Sequence, residues 1–414
     1  MNLRDQCLAD EDRAPARPIH PGECNTPEIV GQRWNLLRVQ PQVRAALADD
    51  ATLADAPRFE RHIENFIGTV KLPVGLAGPL RVNGAHAHGE YYLPLATTEA
   101  CLVASYSRGA RLITEAGGCA AAIIAEGVSR APGFAFRSLR DALAFVAWIE
   151  SQQQRFREIA ATTTRHGRLV GIRATVEANH VYVNFEFETG DAAGQNMVTL
   201  ATAALCRDIA AHSPVQPEYS FLEANHSGDK KASAQSFARV RGKRVSAEIT
   251  LSREQIAARL HTTAERMTDY WRMAALGGVL SGTIGVQGHY ANGLAALYIA
   301  CGQDAACVAE SAVGVTRFEA AGDGALYAAV TLPNVIVGTI GGGTGLPGQH
   351  ACLEILGCSG PGNSRAFAEV CGALALAGEL SIIGAMCSGD FARAHAELAR
   401  GAGRGTPGEG GSHD

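Results

Sequence analysis

Several features that define common protein classes are scarce in this 414-residue chain. It has no Cys-x-x-Cys pair, and its 11 cysteines are spread through apolar segments, which argues against a disulfide framework and a cysteine-ligated metal. It has no excess of positive charge, because 36 basic residues are balanced by 41 acidic ones. We therefore expect reduced thiols, no metal site and no nucleic-acid partner.

Long apolar runs are also missing. The longest stretches are interrupted by His289 and Asn292, by Pro333, or by Glu379, and none offers the roughly 20 uninterrupted apolar residues that span a bilayer. The N-terminus, Met-Asn-Leu-Arg-Asp-Gln-Cys, has no apolar signal core. We expect a cytoplasmic protein with no membrane partner.

Glycine is the one residue in excess, with 47 copies, so many backbone positions need close packing or a positive φ. The length predicts two or three domains. Between about residues 130 and 221, the pattern predicts one amphipathic helix (139–158), a strand with period two (181–187) that forms a hairpin with the preceding run (169–177), and a helix from Met197. Together these elements predict a small inserted α+β domain. The predicted segments are an N-terminal helical segment (1–44), a large domain in two parts (45–130 and 222–400), the small inserted domain (131–221) and a disordered tail (401–414).

Three further segments carry small residues at helical spacing. The run from Thr97 opens with helix-capping chemistry and predicts a tightly packed central helix. Two long helices are predicted around 257–274 and 366–385, with glycine-rich turns and strands between them.

Two glycine-containing turns are candidates for binding a phosphate. Residues 338–348 follow a strand-like run and precede a helix, and Gly343, Gly345 and Gly348 match the dinucleotide pattern GxGxxG. However, Pro347 falls inside the motif and no strand–helix–strand alternation surrounds it, which argues against a Rossmann dehydrogenase. Residues 190–197 form a second glycine-containing helix start. A purely structural turn is the alternative for both.

Isolated ionisable residues in small or apolar surroundings are candidates for chemistry. Glu99, Asp304 and His395 each stand alone in such a setting. Lys230 follows Asp229 in a polar loop, where a lysine beside a carboxylate can stabilise an oxyanion. A solvated charged patch is the ordinary alternative for this loop, and a surface histidine is the alternative for His395.

Together these segments resemble class I 3-hydroxy-3-methylglutaryl-coenzyme A (HMG-CoA) reductase over about residues 60 to 400. The matching segments occur in family order, and they are ENFIG…PVGLAGPL (64–80), TTEACLVAS (97–105), IACGQDAA (299–306), GTIGGGTGLP (338–347) and AGELS (377–381). The resemblance implies an α+β fold, with a large domain around a long central helix and an inserted small ferredoxin-like cofactor domain. It also implies a homodimer or higher homo-oligomer whose subunits share the active site.

The catalytic residues that the resemblance implies are Glu99, Lys230, Asp304 and His395. The implied reaction is the NADPH-dependent, four-electron reduction of HMG-CoA to mevalonate and free coenzyme A. Lys230 would stabilise the oxyanion, Glu99 and Asp304 would supply a proton and tune the lysine, and His395 would protonate the coenzyme A thiolate.

The resemblance also assigns binding residues. The acyl group of the acyl-CoA substrate would contact Arg130, Lys231, Asn292, Glu223 and Arg272. NADPH would contact Thr164 and Arg165 at its 2′-phosphate, and the remaining predicted cofactor residues are Asp191, Gly194, Asn196, Met197, Gly341, Gly342 and Gly343.

Some pocket positions depart from the family pattern, so we expect a member diverged at substrate-pocket positions. Glu223 replaces a serine that helps bind the acyl carboxylate, and two like charges about 4 Å apart repel by roughly 1 to 4 kcal/mol. A family lysine falls on Met273 or, one position away, on Arg272. Two alternatives therefore stay open: a reductase of a related acyl-CoA thioester, and a non-catalytic paralogue that binds nucleotide or acyl-CoA.

Overall fold

The structure is a computed structural model that describes residue 19 and residues 24–389. The chain divides into two compact units, Met1–Leu72 and Pro73–Asp414. His395 and the predicted disordered tail at 401–414 lie outside the described residues. All other residues predicted for the site belong to the second unit.

The described part of the first unit is made of short helices with clear start signals. The Thr26 side chain accepts a hydrogen bond from the Ile29 N–H, and a proline occupies the first turn of the helix that follows. Asp49 caps a later helix in the same way, by accepting from the Thr52 N–H. The elements are α1 (Pro27–Trp34), α2 (Pro41–Leu47), α3 (Asp50–Ala54) and a 3-10 turn (Ala56–Phe59).

The second unit contains both helices and strands. Its strands are β1 (Val74–Gly84), β2 (His88–Ala96), β3 (Cys119–Arg130), β4 (Gly133–Ala135), β5 (Arg168–Glu177), β6 (His180–Glu188), β7 (Tyr219–Phe221), β8 (Gly242–Leu251), β9 (Gly285–Val286), β10 (Gly314–Ala320) and β11 (Leu326–Val335). Its helices are α4 (Leu102–Glu115), α5 (Leu139–Ser151), α6 (Gln153–Thr163), α7 (Gln195–His212), α8 (Gln235–Ala238), α9 (Arg253–Leu260), α10 (Ala264–Ser281), α11 (Tyr290–Ala300), α12 (Val308–Ser311), α13 (Pro347–Leu356) and α14 (Ser364–Ser388). Short 3-10 turns occur at Ala305–Cys307, Gly322–Gly324 and Gly342–Gly345.

Strand β3 belongs to two sheets. Its first part pairs with β1 in parallel and with β8 antiparallel, in a sheet that continues through β11 and β10 to β9. Its last three residues, Val128 to Arg130, pair with β6 in the smaller sheet. Arg130 therefore lies where the two sheets meet.

The smaller sheet has the ferredoxin-like arrangement. In chain order its elements are β4, the helices α5 and α6, β5, β6, α7 and β7, and its strand order is β7-β4-β6-β5. A separate apolar core that includes Phe145, Phe185 and Leu205 fills the space between sheet and helices. The predicted α+β fold with a ferredoxin-like part is confirmed, whereas the exact domain boundaries remain predictions.

Helix α14 is the long central helix of the second unit. It has 25 residues, most of them buried, and Gly109 of α4 packs so closely on it that a Cβ there would lie 1.9 Å from the Ala377 carbonyl oxygen. In the described part of the chain it is the one helix long and apolar enough to cross a membrane, but 89% of its apolar window is buried inside the protein. It is therefore packed as a core helix.

The structure corrects three helix predictions. The helix predicted from Thr97 begins only at Leu102, because Cys101 adopts a left-handed conformation (φ 70°). The predicted helix 139–158 is interrupted at Gln152, between α5 and α6. The predicted helix around 257–274 is divided into α9 and α10 after His261, whose φ of 51° ends α9.

Candidate active site

Lys230 and Asp304 meet at the centre of the candidate site. The Nζ atom of Lys230 lies 2.7 Å from Oδ2 of Asp304, and both side chains are about half exposed, at 39% and 46%. Asp304 is held in place because its other oxygen accepts a hydrogen bond from the Ala306 N–H at 3.0 Å, at the start of the turn Ala305–Cys307. The hydrogen bond that the Lys230 ammonium donates to Asp304 raises the pKa of Lys230, so the ammonium stays protonated.

Buried charged residues support the loop that carries Lys230. Asp229 receives hydrogen bonds from Arg241 and, at 2.8 Å, from Arg130. Burial raises the pKa of Asp229, but the two guanidinium groups more than offset this, and the net pKa lies below its usual value. Arg241 also pairs with the fully buried Glu310 at 2.8 Å. These contacts keep Asp229 ionised and hold its part of the loop in place.

Arg130, predicted to bind the acyl carboxylate, is shared by two acids. Its Nη1 atom lies 2.8 Å from Asp229 and 3.4 Å from Glu223. Ser227 also donates to Glu223, at 3.0 Å. Lys231 donates from Nζ to the Asp229 carbonyl oxygen at 3.0 Å. Glu223 thus shares Arg130 with the closer carboxylate of Asp229.

Glu99 lies with Asn292 rather than with Lys230. The Asn292 amide donates to both Glu99 oxygens, at 3.1 and 2.9 Å. Asn292 is in the first turn of α11, and Asp304 follows the last turn of the same helix. The nine residues from Asn292 to Ala300 span about 12 Å along the helix axis. Two pairs of predicted site residues therefore form, one at each end of α11: Glu99 with Asn292, and Lys230 with Asp304.

The turn before Asn292 is held by a buried glutamate that was not among the predicted site residues. Glu379 of α14 accepts hydrogen bonds from the N–H groups of Gly288 and His289 and from the hydroxyl of Thr316. Burial raises the pKa of Glu379 to about 7. Burial also lowers the pKa of His289.

Two glycine-containing loops lie against the Asp304 turn. The Gly338 N–H donates to the Gln303 side chain at 2.8 Å, and the Gln195 amide at the start of α7 donates to the Cys307 sulfur at 2.8 Å. Gly302 has a φ of +68°, and a Cβ there would lie 2.4 Å from the Gly343 carbonyl oxygen. The close approach of the glycine-rich loop to Asp304 therefore requires a glycine at this position.

The predicted cofactor residues fall into two groups. Gly341 and Gly342 have positive φ and open space where a Cβ would lie, whereas Gly343 packs on the Gly302 backbone. The Asp191 carboxylate is already used within the protein, because it accepts hydrogen bonds from the N–H groups of Gly362 and Ser364 at the start of α14.

The start of α7 carries the remaining cofactor predictions. Gly194 precedes the helix with a φ of +77°, and no side chain caps the first turn. Asn196 is exposed there, and the Thr164 hydroxyl contacts the Met197 sulfur at 2.9 Å. Arg165 is exposed beside Thr164. The predicted residues at 164–165 and 194–197 thus lie around one helix start.

Arg272, a predicted substrate residue, lies on α10. It forms an exposed ion pair with Asp269 at 3.1 Å, and the neighbouring Met273 side chain is 76% exposed. In the described residues, neither Arg272 nor Met273 contacts Arg130 or Lys230, so the structure does not bring Arg272 to this part of the site.

Glu310 and Arg241 are the buried residues next to the site that sequence reasoning missed. Glu310 stands alone in the apolar segment Cys-Val-Ala-Glu-Ser-Ala-Val. That is the same signal that singled out Glu99 and Asp304, so it could have been found by the same argument.

A lysine paired with a carboxylate, beside an open glycine-rich turn and an uncapped helix start, is typical of an enzyme that holds an anionic ligand and stabilises an oxyanion. The fold agrees with solved reductases. The chain is similar to a class II HMG-CoA reductase from Streptococcus pneumoniae bound to NADPH, with a TM-score of 0.64, 22% identity, and coverage of 86% of this chain and 96% of that chain. A second structure of the Streptococcus pneumoniae enzyme aligns with a TM-score of 0.64 at 20% identity, over 87% of this chain and 84% of that chain.

The chain belongs to the hydroxymethylglutaryl-coenzyme A reductase family, whose model matches residues 29–400. It is 45% identical to the reductase of Methanothermobacter thermautotrophicus over 82% of this chain and 86% of that one. It is 41% identical to the Methanocaldococcus jannaschii enzyme (83% and 85% covered) and 38% identical to the Haloferax volcanii enzyme (95% and 98% covered).

Proposed function

We propose that this protein reduces HMG-CoA to mevalonate and free coenzyme A with two equivalents of NADPH. The observation that carries the proposal is the Lys230–Asp304 pair, which lies against the glycine-rich loop and the start of α7. Family membership over most of the chain supports the choice of substrate.

The proposed roles of the catalytic residues follow from charge and reach. The Lys230 ammonium donates to the thioester carbonyl oxygen, which gains negative charge when a hydride adds to the carbonyl carbon. Asp304 keeps this ammonium protonated and oriented. The resulting hemithioacetal collapses to an aldehyde as the carbon–sulfur bond breaks, and His395 protonates the departing thiolate. A second hydride then adds to the aldehyde carbon, and Glu99 supplies the proton that completes the alcohol.

The loops around Asp304 fit a nicotinamide dinucleotide. Each NADPH supplies one hydride. We propose that the open backbone at Gly341 and Gly342 and the uncapped first turn of α7, which follows Gly194, hold its pyrophosphate. Thr164 and the exposed Arg165 would hold the 2′-phosphate, because a guanidinium suits a phosphate group. Asn196 and Met197 would line the same helix start.

Arg130, Lys231, Asn292 and Arg272 are proposed to bind the acyl group. Arg130 is the primary partner of the acyl carboxylate, because a guanidinium can bind a carboxylate with two hydrogen bonds. Its contact with Glu223 leaves fewer donors for the substrate, which favours weak binding of the acyl group.

We further propose a homodimer or higher homo-oligomer in which two subunits share each active site. Two observations support this. The Glu99–Asn292 and Lys230–Asp304 pairs lie at opposite ends of α11, so one protomer does not unite them. The end of α10 also leaves a group of apolar side chains exposed, namely Met273, Leu276, Val279 and Leu280.

The motif matches support placement in class I of the family. The ten cysteines in the described residues are all free thiols, which supports a reducing, cytoplasmic location.

Purified protein offered HMG-CoA and NADPH tests the proposal. We expect NADPH oxidation that depends on HMG-CoA, with mevalonate detected by mass spectrometry. Oxidation with another acyl-CoA but not with HMG-CoA would favour a different thioester substrate. Binding of nucleotide without turnover of any acyl-CoA would favour a non-catalytic paralogue.

A further inference from the structure

We propose that Glu310 is a positioning residue for Lys230. The segment from Asp304 to Glu310 holds this lysine both at its backbone N–H and at its side-chain ammonium. The inference rests on the proposed function, because it explains how the lysine is fixed for that reaction. Glu310 does not reach the reacting atoms, since its side chain is fully buried beneath the loop.

The geometry links one short segment to two parts of the same lysine. The Asp304 carboxylate contacts the Lys230 side-chain Nζ at 2.7 Å. Six residues further along the chain, the Oε1 atom of Glu310 accepts a hydrogen bond from the Lys230 backbone N–H at 3.1 Å. The turn Ala305–Cys307 and the short helix α12 make the segment between them regular.

Lys230 needs such a support because its backbone is strained. Its φ is 54°, in the left-handed region that a residue with a Cβ adopts at a cost. A conformation of this kind persists when the surrounding hydrogen bonds impose it. Glu310 supplies one of these bonds, and the next residue supplies another, because the Lys231 N–H donates to the Gly228 carbonyl oxygen at 3.1 Å.

Glu310 is itself fixed by Arg241. The second carboxylate oxygen, Oε2, accepts from the Arg241 Nε atom at 2.8 Å, and Arg241 also donates to the Ser129 carbonyl at 2.6 Å and to Asp229. Arg241 is 2% exposed, so the ion pair is sealed from water. The position of the Lys230 backbone is therefore set by a buried charged cluster that is anchored to the end of β3.

The proposal predicts a specific kinetic result for Glu310→Gln. A glutamine has one acceptor oxygen, so it cannot serve both the Lys230 N–H and the Arg241 Nε–H. A displacement of the catalytic ammonium by about 1 Å can cost on the order of 10²-fold in turnover. We expect kcat to fall by about that factor, while the KM values for NADPH and HMG-CoA remain close to wild type.

Glu369→Gln is the matched control. Glu369 of α14 is also fully buried and also accepts backbone hydrogen bonds, from His86 at 2.8 Å and Ala87 at 2.7 Å, but these donors lie in the β1–β2 turn. We expect this variant to lose stability in thermal unfolding while keeping its kcat per folded protein. The comparison separates a positioning role from the general cost of altering a buried acid.

Kinetics are measured at a temperature at which circular dichroism shows each variant folded. Glu310→Asp provides a second test, because it keeps the charge that pairs with Arg241 but withdraws the carboxylate from the Lys230 N–H, so its kcat should also fall. Wild-type kcat in folded Glu310→Gln, or a failure of both Glu310 variants to fold at any temperature, would overturn the proposal. If wild-type protein fails to turn over HMG-CoA, the proposed function fails instead, and this is established before any variant is compared.

Discussion

Lys230 donates a hydrogen bond to Asp304 at 2.7 Å, although Lys230 precedes strand β8 in the chain and Asp304 follows it. The pair is half exposed, so its attraction adds little to stability. Its role is to present a charged donor in a fixed direction, next to the loops that we propose bind NADPH. This arrangement leads to four predictions.

Asp304→Asn should remove most of the activity without unfolding the protein. The amide keeps the size of the side chain but no longer stabilises the Lys230 ammonium, and loss of one oxyanion-stabilising interaction costs about 10² to 10³ in kcat. Steady-state NADPH oxidation measures the effect. Glu319→Gln is a suitable control, because it removes an ion pair of similar exposure with Arg317, at 3.0 Å, outside the site. An undiminished kcat in Asp304→Asn would remove this pair from the mechanism.

A mixture of two inactive variants should regain activity if subunits share the site. Glu99→Gln damages one end of α11 and Asp304→Asn the other, so a mixed dimer has one intact site and one doubly damaged site. Random exchange of subunits makes half of the dimers mixed, which predicts about a quarter of wild-type activity. The measurement is turnover before and after the subunits are exchanged under mild denaturant. Activity that never exceeds that of the separate variants would place all four residues in one protomer's site.

Glu223→Ser should strengthen binding of HMG-CoA. The substitution removes a carboxylate that takes one of the Arg130 hydrogen bonds, at 3.4 Å, and would repel the acyl carboxylate. Relief of roughly 1 kcal/mol or more of repulsion lowers KM for HMG-CoA by about fivefold to tenfold, with little change in KM for NADPH. Glu218→Ser, at an exposed pair with Arg137, provides the control. A higher KM for HMG-CoA in Glu223→Ser would mean that Glu223 organises Arg130 for the substrate.

Glu379→Gln should change how stability depends on pH. Burial raises the pKa of Glu379 from 4.5 to about 7, so the folded protein holds this proton more tightly than the unfolded chain does. The resulting stabilisation is complete below about pH 4.5 and is lost as the pH rises through 7. At about 1.4 kcal/mol per pKa unit, the loss is roughly 3 kcal/mol at most.

Urea unfolding between pH 4 and 8 measures this dependence. The glutamine variant cannot ionise at this position, so its free energy of unfolding should fall less steeply than that of wild type over this range. Parallel curves for the two proteins would show that Glu379 has the same pKa in the folded and unfolded states.

Local patterns predicted much of the ferredoxin-like part. The period-two alternation of 181–187 matches β6, and the preceding run matches β5, because a half-buried strand repeats its burial every second residue. The helix boundaries were harder. Cys101 and His261 both adopt a left-handed conformation. Neither position is a glycine or a proline, so the sequence contains no local signal for it.

The sequence supplied candidate site residues, but it did not predict how they are arranged. Asn292 is in the first turn of the apolar helix α11 and Asp304 follows its last turn, so the length of the helix separates them. The pairing of Arg130 with both Asp229 and Glu223 depends on the meeting of two sheets. Contacts of that kind join residues far apart in the chain, so no local pattern contains them.

The stoichiometry of the reaction tests the central claim most directly. Purified protein is given limiting HMG-CoA and excess NADPH, and NADPH consumption is compared with released coenzyme A thiol at completion. Our account predicts two molecules of NADPH oxidised for each thiol released, with mevalonate as the product. Thiol release without NADPH oxidation, or no reaction with HMG-CoA at all, would contradict it.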